Sequence, residues 1–218
     1  REIFQVGAEY IGADDAGADS EMLILMIECL KQVGLRSFKI SLGHVGFFKG
    51  LLIRAGLSPA GQKRAEQAAA RKDLPRLQEI LSSEQVSRRY ATSILEAPEL
   101  CGQAEVLTRG RVLAKGDRSA VQALTRLTTV YQALCRAGHQ DVLFLDLGEF
   151  RGFDYYDGVV FDVFAEGVGV ELGGGGRYDH LIGRFGRNIP STGFALNVDR
   201  LFRGLQAQSS AGVARAEA

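Results

Sequence analysis

Between Gly56 and Gly138 the chain carries only helical signals, whereas the segments on either side carry strand signals. That interruption limits the possible folds more than any other feature. Ser58-Pro59 pairs a capping residue with proline at the first helical position. Ala-, Gln- and Arg-rich sequence follows, and Asp73, Ser83 and Asp117 are each predicted to open a further helix. The last of these runs through Val121, Leu124, Leu127, Val130 and Leu134 at helical spacing. No repeat period is visible, so the block reads as one inserted helical subdomain, without a strand, and not as a solenoid.

The flanks alternate. In Glu2–Ile11, Phe4, Val6, Ala8 and Tyr10 fall on one face, expected to be the core stripe, and Gln5, Gly7 and Glu9 on the other. Asp19 or Ser20 is predicted to cap a helix ending near Val33, stopped by Gly34. A strand over Phe38–Leu42 and a short helix over Val45–Ala55 follow. Beyond Gly138, the segments Val142–Leu147, Tyr155–Ala165 and Val170–Gly175 are predicted to form an antiparallel meander. A helix over Tyr178–Phe185, a buried strand over Thr192–Val198, a final helix from about Asp199 and a frayed tail complete the chain. The fold class is α+β, an antiparallel sheet flanked by helices and split around an all-helical insertion. The expected organisation is a core of residues 1–55 and 139–207, an insertion of residues 56–138 and a disordered tail of residues 208–218.

Composition narrows the function. Lys plus Arg and Asp plus Glu number 26 each, so no net field draws the chain to nucleic acid or anionic lipid. No run of about 18 apolar residues exists to span a membrane, and the first residues lack the regions of a signal peptide. Cys29, Cys101 and Cys135 never form a C-x-x-C pair, which argues for reduced thiols in a cytoplasm. His44, His139 and His180 are equally scattered, so neither a metal site nor a cofactor is expected. His44 is placed to cap the helix that follows it.

Three segments could carry binding chemistry. Gln5, Gly7 and Glu9 share a strand face on which the glycine leaves a gap between an amide and a carboxylate. A small polar ligand could lie there; the same pattern also describes the solvated face of a half-buried strand. Arg151 near Tyr155 and Tyr156 offers an anion clamp beside two hydroxyls, provided that a bend near Gly152 brings them to one side. Gly173 to Gly176, followed by Arg177-Tyr178-Asp179, suits a place where a flat ligand approaches the backbone. The phosphate-loop pattern is absent. Asp146 and Glu149 lie around a strand end without a histidine or serine partner for acid–base or nucleophilic chemistry.

Together these segments resemble one family. REIFQVGAEYIG resembles the second strand of motif 2 of class II aminoacyl-tRNA synthetases, in its histidine-specific form. EFRGFDYYDGVVF is similar to a segment peculiar to histidyl-tRNA synthetases and their relatives, and GGGGRYDHLIGRFG and PSTGFALNVDRLF resemble the Gly-Gly-Arg-Tyr-Asp turn and motif 3. Four ordered matches span the chain. The middle segments LGHVGFFKGLL, ARKDLPRLQEIL and APELCGQAEVL look more like the regulatory subunits of ATP phosphoribosyltransferase, synthetase paralogues that pair with a short-form catalytic subunit.

The resemblance implies a class II synthetase-like core and a histidine pocket of Gln5, Glu9, Arg151, Tyr155, Tyr156 and Tyr178, with Gly7, Gly174 and Gly175 as its backbone floor. Glu9 and Tyr156 would meet the two imidazole nitrogens, Gln5 the amino group and Arg151 the carboxylate. It implies a regulatory, non-catalytic subunit that mediates histidine feedback, self-associates, pairs with the short-form catalytic subunit and binds no tRNA. The alternative within the family is the catalytic core of a histidyl-tRNA synthetase. Asn197 stands where motif 3 usually has glycine and is expected to crowd an adenine. Arg200 is retained, as is Asp154, leaving residual nucleotide contact at Arg200 open. The chain opens at Arg1 within motif 2 and ends about 18 residues after Arg200, so it reads as part of a longer protein without an anticodon-binding domain.

Overall fold

The structure, a computed structural model, describes residues 2–148 and 155–216. In chain order its elements are β1 (Gln5–Ile11), α1 (Ala16–Gln32), β2 (Phe38–His44), α2 (Val45–Arg54), α3 (Pro59–Ala70), α4 (Leu74–Ser83) and α5 (Arg88–Glu96). There follow β3 (Cys101–Gly102), α6 (Glu105–Leu113), α7 (Arg118–Arg136), β4 (Leu143–Asp146), β5 (Val159–Ala165), β6 (Gly173–Arg177), β7 (Ser191–Asn197) and α8 (Val198–Ala216). The strands form one sheet in the order β1-β7-β6-β5-β2-β4-β3. The pairs β1–β7, β6–β7 and β3–β4 are antiparallel.

The chain divides into two compact units. The first comprises Arg1–Ser41, Val130–Leu143 and Phe161–Ala218, and the second Leu42–Thr129 and Phe144–Val160. This division differs from the expected core and insertion. The end of α7 belongs with the first unit, and β3, inside the block read as purely helical, pairs with β4 at Cys101↔Asp146 and Gly102↔Leu145. Two residues are too short to show an alternation, which is why the strand escaped the sequence.

In the first unit, α1 packs on β7 and β1 and buries Ala18, Met22, Leu23, Met26, Ile27 and Leu30. Its cap is Asp15, whose carboxylate accepts from Ala18 N–H at 3.0 Å. The expected caps lie inside the first turns, where Asp19 is drawn instead to a buried partner described below. The stop is as expected: Gly34 has φ +92°, a left-handed setting that glycine adopts without strain. β1 differs from expectation more sharply. Phe4 (64%), Val6 (54%) and Tyr10 (39%) are exposed, so their face is no core stripe. β1 is an edge strand, and alternation alone cannot tell which face finds a partner.

In the second unit, Phe47, Phe48, Leu52, Ala65, Leu77 and Ile94 form part of the core. His44 caps α2, its Nδ1 accepting from Gly46 N–H at 3.1 Å. Ser58 and Asp73 cap α3 and α4 through Gly61 and Arg76 N–H, and Asp117 Oδ1 accepts from Ala120 N–H at the start of α7. Ser83, by contrast, ends α4, and α5 starts after Ser87.

The expected meander is corrected in two places. β2 lies between β4 and β5, so of the three strands expected to form the meander only β5 and β6 are neighbours. The strand expected over Val170–Gly175 is shifted along the chain, β6 running from Gly173 to Arg177 with all four glycines inside it. Only Ile182–Phe185 of the expected Tyr178–Phe185 helix is helical, as a single 3-10 turn. α8 continues to Ala216 where a disordered tail was expected.

Candidate functional site

The register of β1, β7 and β6 builds a site within the first unit. Residues directly opposite in an antiparallel pair share a face. Gln5 faces Asn197; Gly7 faces Ala195, which faces Gly174; Glu9 faces Gly193, which faces Gly176. One face therefore carries Gly7, Gly174, Gly176, Gly193 and Ala195, a floor nearly without side chains, with Gln5 and Glu9 at its margin. Gly175 lies in the row of Ala8 and Phe194, so its α-carbon belongs to the opposite face.

The floor is closed to larger residues by its own backbone. A β-carbon on Gly7 would overlap the carbonyl oxygen of Phe194, and on the opposite face one on Gly175 would overlap that of Gly193. At Gly193 a β-carbon would overlap Glu9 Oε2. The Glu9 carboxylate thus lies across Gly193, in space that exists because the residue is glycine. Tyr178, one residue beyond β6, donates its hydroxyl to Glu9 Oε2. Glu9 and Gln5 are exposed and Tyr178 is half-buried, so the face is open above its floor.

Behind the floor sits a buried ionic cluster. Arg177 is 2% exposed and Asp19 1%. Arg177 Nε donates to Asp19 Oδ1 at 2.8 Å, and its Nη1 donates to Asp179 Oδ1 at 2.9 Å and to Ala13 O at 3.0 Å. Burial disfavours the guanidinium charge, but Asp19 and Asp179 more than offset it, and the pKa lies above the ordinary arginine value. Asp179 Oδ1 also accepts from Ser191 N–H at 3.1 Å, and Tyr178 N–H donates to Ser191 O at 2.8 Å.

Arg200 lies at the start of α8. Its Nη1 donates to Glu171 O at 2.8 Å and pairs with the Glu171 carboxylate. Asn197 Oδ1 accepts from Arg200 N–H at 2.9 Å. The asparagine at the end of β7 therefore has a local task, capping a helix, and Arg200 already has a carboxylate partner.

The remaining candidates fall elsewhere. Tyr155 and Tyr156 belong to the second unit, with hydroxyls 3.2 Å apart and ring centroids 4.4 Å apart. Asp146, also in that unit, has its carboxyl pushed up by burial, opposed by the Gly148 N–H and by Lys72. Arg151, Gly152, Asp154 and Glu149 lie outside the described residues. Among the described residues, no group of three or more His, Cys, Asp or Glu is placed to hold a metal ion. No helix there is long and apolar enough to cross a membrane.

Sequence reasoning gave Asp19 only a capping role, named Arg177 and Asp179 without a role of their own, and did not single out Gly193. A charge that ends up buried leaves no mark in the chain, although the alternation of β6 separates Arg177 from Tyr178 in advance.

The sequence profile of the family described as Histidyl-tRNA synthetase matches residues 1–201. The chain belongs to the histidyl-tRNA synthetase family. Within that family it is 40% identical, over 94% of its length, to a Geobacter metallireducens protein named ATP phosphoribosyltransferase regulatory subunit, of which it covers 47%. The solved structure of a Bacillus halodurans protein described as an ATP phosphoribosyltransferase regulatory subunit/histidyl-tRNA synthetase superposes with a TM-score of 0.86 at 30% identity, over 93% of this chain and 53% of that one. A histidyl-tRNA synthetase from Nostoc sp. PCC 7120 shares the fold at a TM-score of 0.77 and 20% identity, over 96% of this chain and 50% of that one. The chain thus has the class II synthetase-like fold of the family, and it spans about half the length of the curated relatives it matches.

Proposed function

We propose that this chain is the synthetase-like part of a regulatory, non-catalytic subunit of ATP phosphoribosyltransferase, and that the floor of β1, β6 and β7 binds histidine. The observation that carries the proposal is the Glu9 carboxylate lying over Gly193 with the Tyr178 hydroxyl on it. An imidazole is flat and needs an acceptor for its N–H. A side-chain-free floor admits the ring, and a carboxylate held at its margin accepts that proton. Gln5, on the same face, is assigned the amino group. The family resemblance is the support for Tyr155, Tyr156 and Arg151 as further histidine ligands, Arg151 for the carboxylate. The names of the relatives support the regulatory assignment, and the equal numbers of acidic and basic residues agree with a protein that does not bind tRNA.

The proposal extends to self-association, a short-form catalytic subunit as partner, feedback control of the first step of histidine biosynthesis, and a cytoplasmic setting with Cys29, Cys101 and Cys135 as reduced thiols. A thermal-shift screen of the twenty amino acids, followed by calorimetry with the best ligand, tests the pocket. Histidine is expected to stand out alone. A different amino acid, or none, overturns the assignment. ATP–pyrophosphate exchange with histidine is expected to be absent, and its presence would favour a synthetase core instead.

A further inference from the structure

Four consecutive glycines leave β6 with no side chain to set how it is turned about its own axis. The first side chain after them is Arg177, on the side opposite the ligand floor. It is anchored to α1 through Asp19, to the β1–α1 connection through Ala13 O and, at 3.3 Å, Asp15 O, and to Asp179. Buried ion clusters are weak sources of stability, since apolar residues of similar volume often serve as well. Their geometry, however, is demanding. Neighbouring residues on a strand point to opposite faces, so fixing the guanidinium on one side fixes the direction of Tyr178 on the other. Asp179 adds a second hold, because its carboxylate ties the residue after Tyr178 to Ser191 N–H.

We propose that Arg177 is a positioning residue: anchored by Asp19 and Asp179, it aims Tyr178 across the glycine floor so that the tyrosine hydroxyl orients the Glu9 carboxylate for the ligand. The ligand arm of this inference rests on the histidine reading above; the contact between Tyr178 and Glu9 does not.

The test uses the chain labelled with [13Cζ]tyrosine, with the Tyr178 resonance identified by its loss in Tyr178→Phe. Glu9→Gln is expected to move that resonance, and Arg177→Lys to move it in the same sense. In calorimetry, Arg177→Lys is expected to weaken histidine binding about tenfold, and to have no further effect in the Tyr178→Phe background, because both changes remove one linked interaction. A purely structural arginine would lower the unfolding midpoint but leave the resonance in place, and its effect on affinity would add to that of Tyr178→Phe; either result overturns the proposal. If Arg177→Lys does not fold, Asp19→Asn takes its place, since it loosens the anchor from α1 without touching the ligand face. If the parent chain fails to bind histidine, the histidine reading falls and the resonance alone decides the role of Arg177.

Discussion

At the scale of single residues, the exposure of Glu9 sets the size of its effect. A carboxylate sealed from water would lose much when its partner is removed, but this one stands in the open. Its hydrogen bond to an imidazole N–H is therefore expected to contribute about 0.5–1.5 kcal/mol, so Glu9→Ala should weaken histidine binding by up to about tenfold. Glu9→Gln, which keeps an acceptor oxygen, should lose less. Calorimetry on the three proteins checks the order. Gly193→Ala is the complementary change. Its β-carbon would overlap Glu9 Oε2 and lie 2.6 Å from Ala8 O, so histidine affinity should fall as in Glu9→Ala while overpacking removes about 1–3 kcal/mol of stability by urea titration. The pairing of Gln5, Gly7 and Glu9 on one face was legible from period 2 alone. That Glu9 lies over Gly193 was not, because it depends on the register of strands some 180 residues apart in sequence.

At the scale of elements, the chain was legible where local chemistry decides the outcome. The caps at His44, Ser58, Asp73 and Asp117 and the stop at Gly34 all depend on a few adjacent residues. It was not legible where distant partners decide, as at β3 and on the apolar face of β1. His139 is a further case. It is buried in the first unit, where Lys31 donates to Nδ1 at 3.1 Å, which leaves the ring proton on Nε2 facing Glu28 at 3.7 Å. Burial and then the Lys31 charge lower its pKa below the ordinary 6.5, with Glu28 opposing. The unfolded chain takes up this proton first as pH falls, so the folded state holds its full stability above about pH 6.5 and loses it below. Urea titrations should show stability falling from about pH 7 to pH 5, with a smaller fall in His139→Gln.

At the scale of the whole molecule, the described surface includes Ile3, Phe4, Val6 and Ile11 on or beside an edge strand, and Val198 and Phe202 at the start of α8. Unpaired strand edges with apolar side chains attract further strands. Light scattering is expected to show concentration-dependent association of this chain, and Val6→Lys is expected to reduce it. A monomer at every concentration would contradict this expectation. Mixing with a short-form ATP phosphoribosyltransferase should yield a larger species if the proposed partnership holds.

The glycine strand has a consequence in time as well as in shape. β6 has almost no side chains to interlock with its neighbours, so its amides are held chiefly by the backbone bonds of its ladders. Local opening at Gly174–Gly176 should therefore need less free energy than opening of the α1 core, and deuterium should enter these amides well before those of Leu23 or Met26. A ligand lying on the floor would slow that entry directly. The exchange rate of three glycine amides would then report occupancy of the site without a probe attached to the protein.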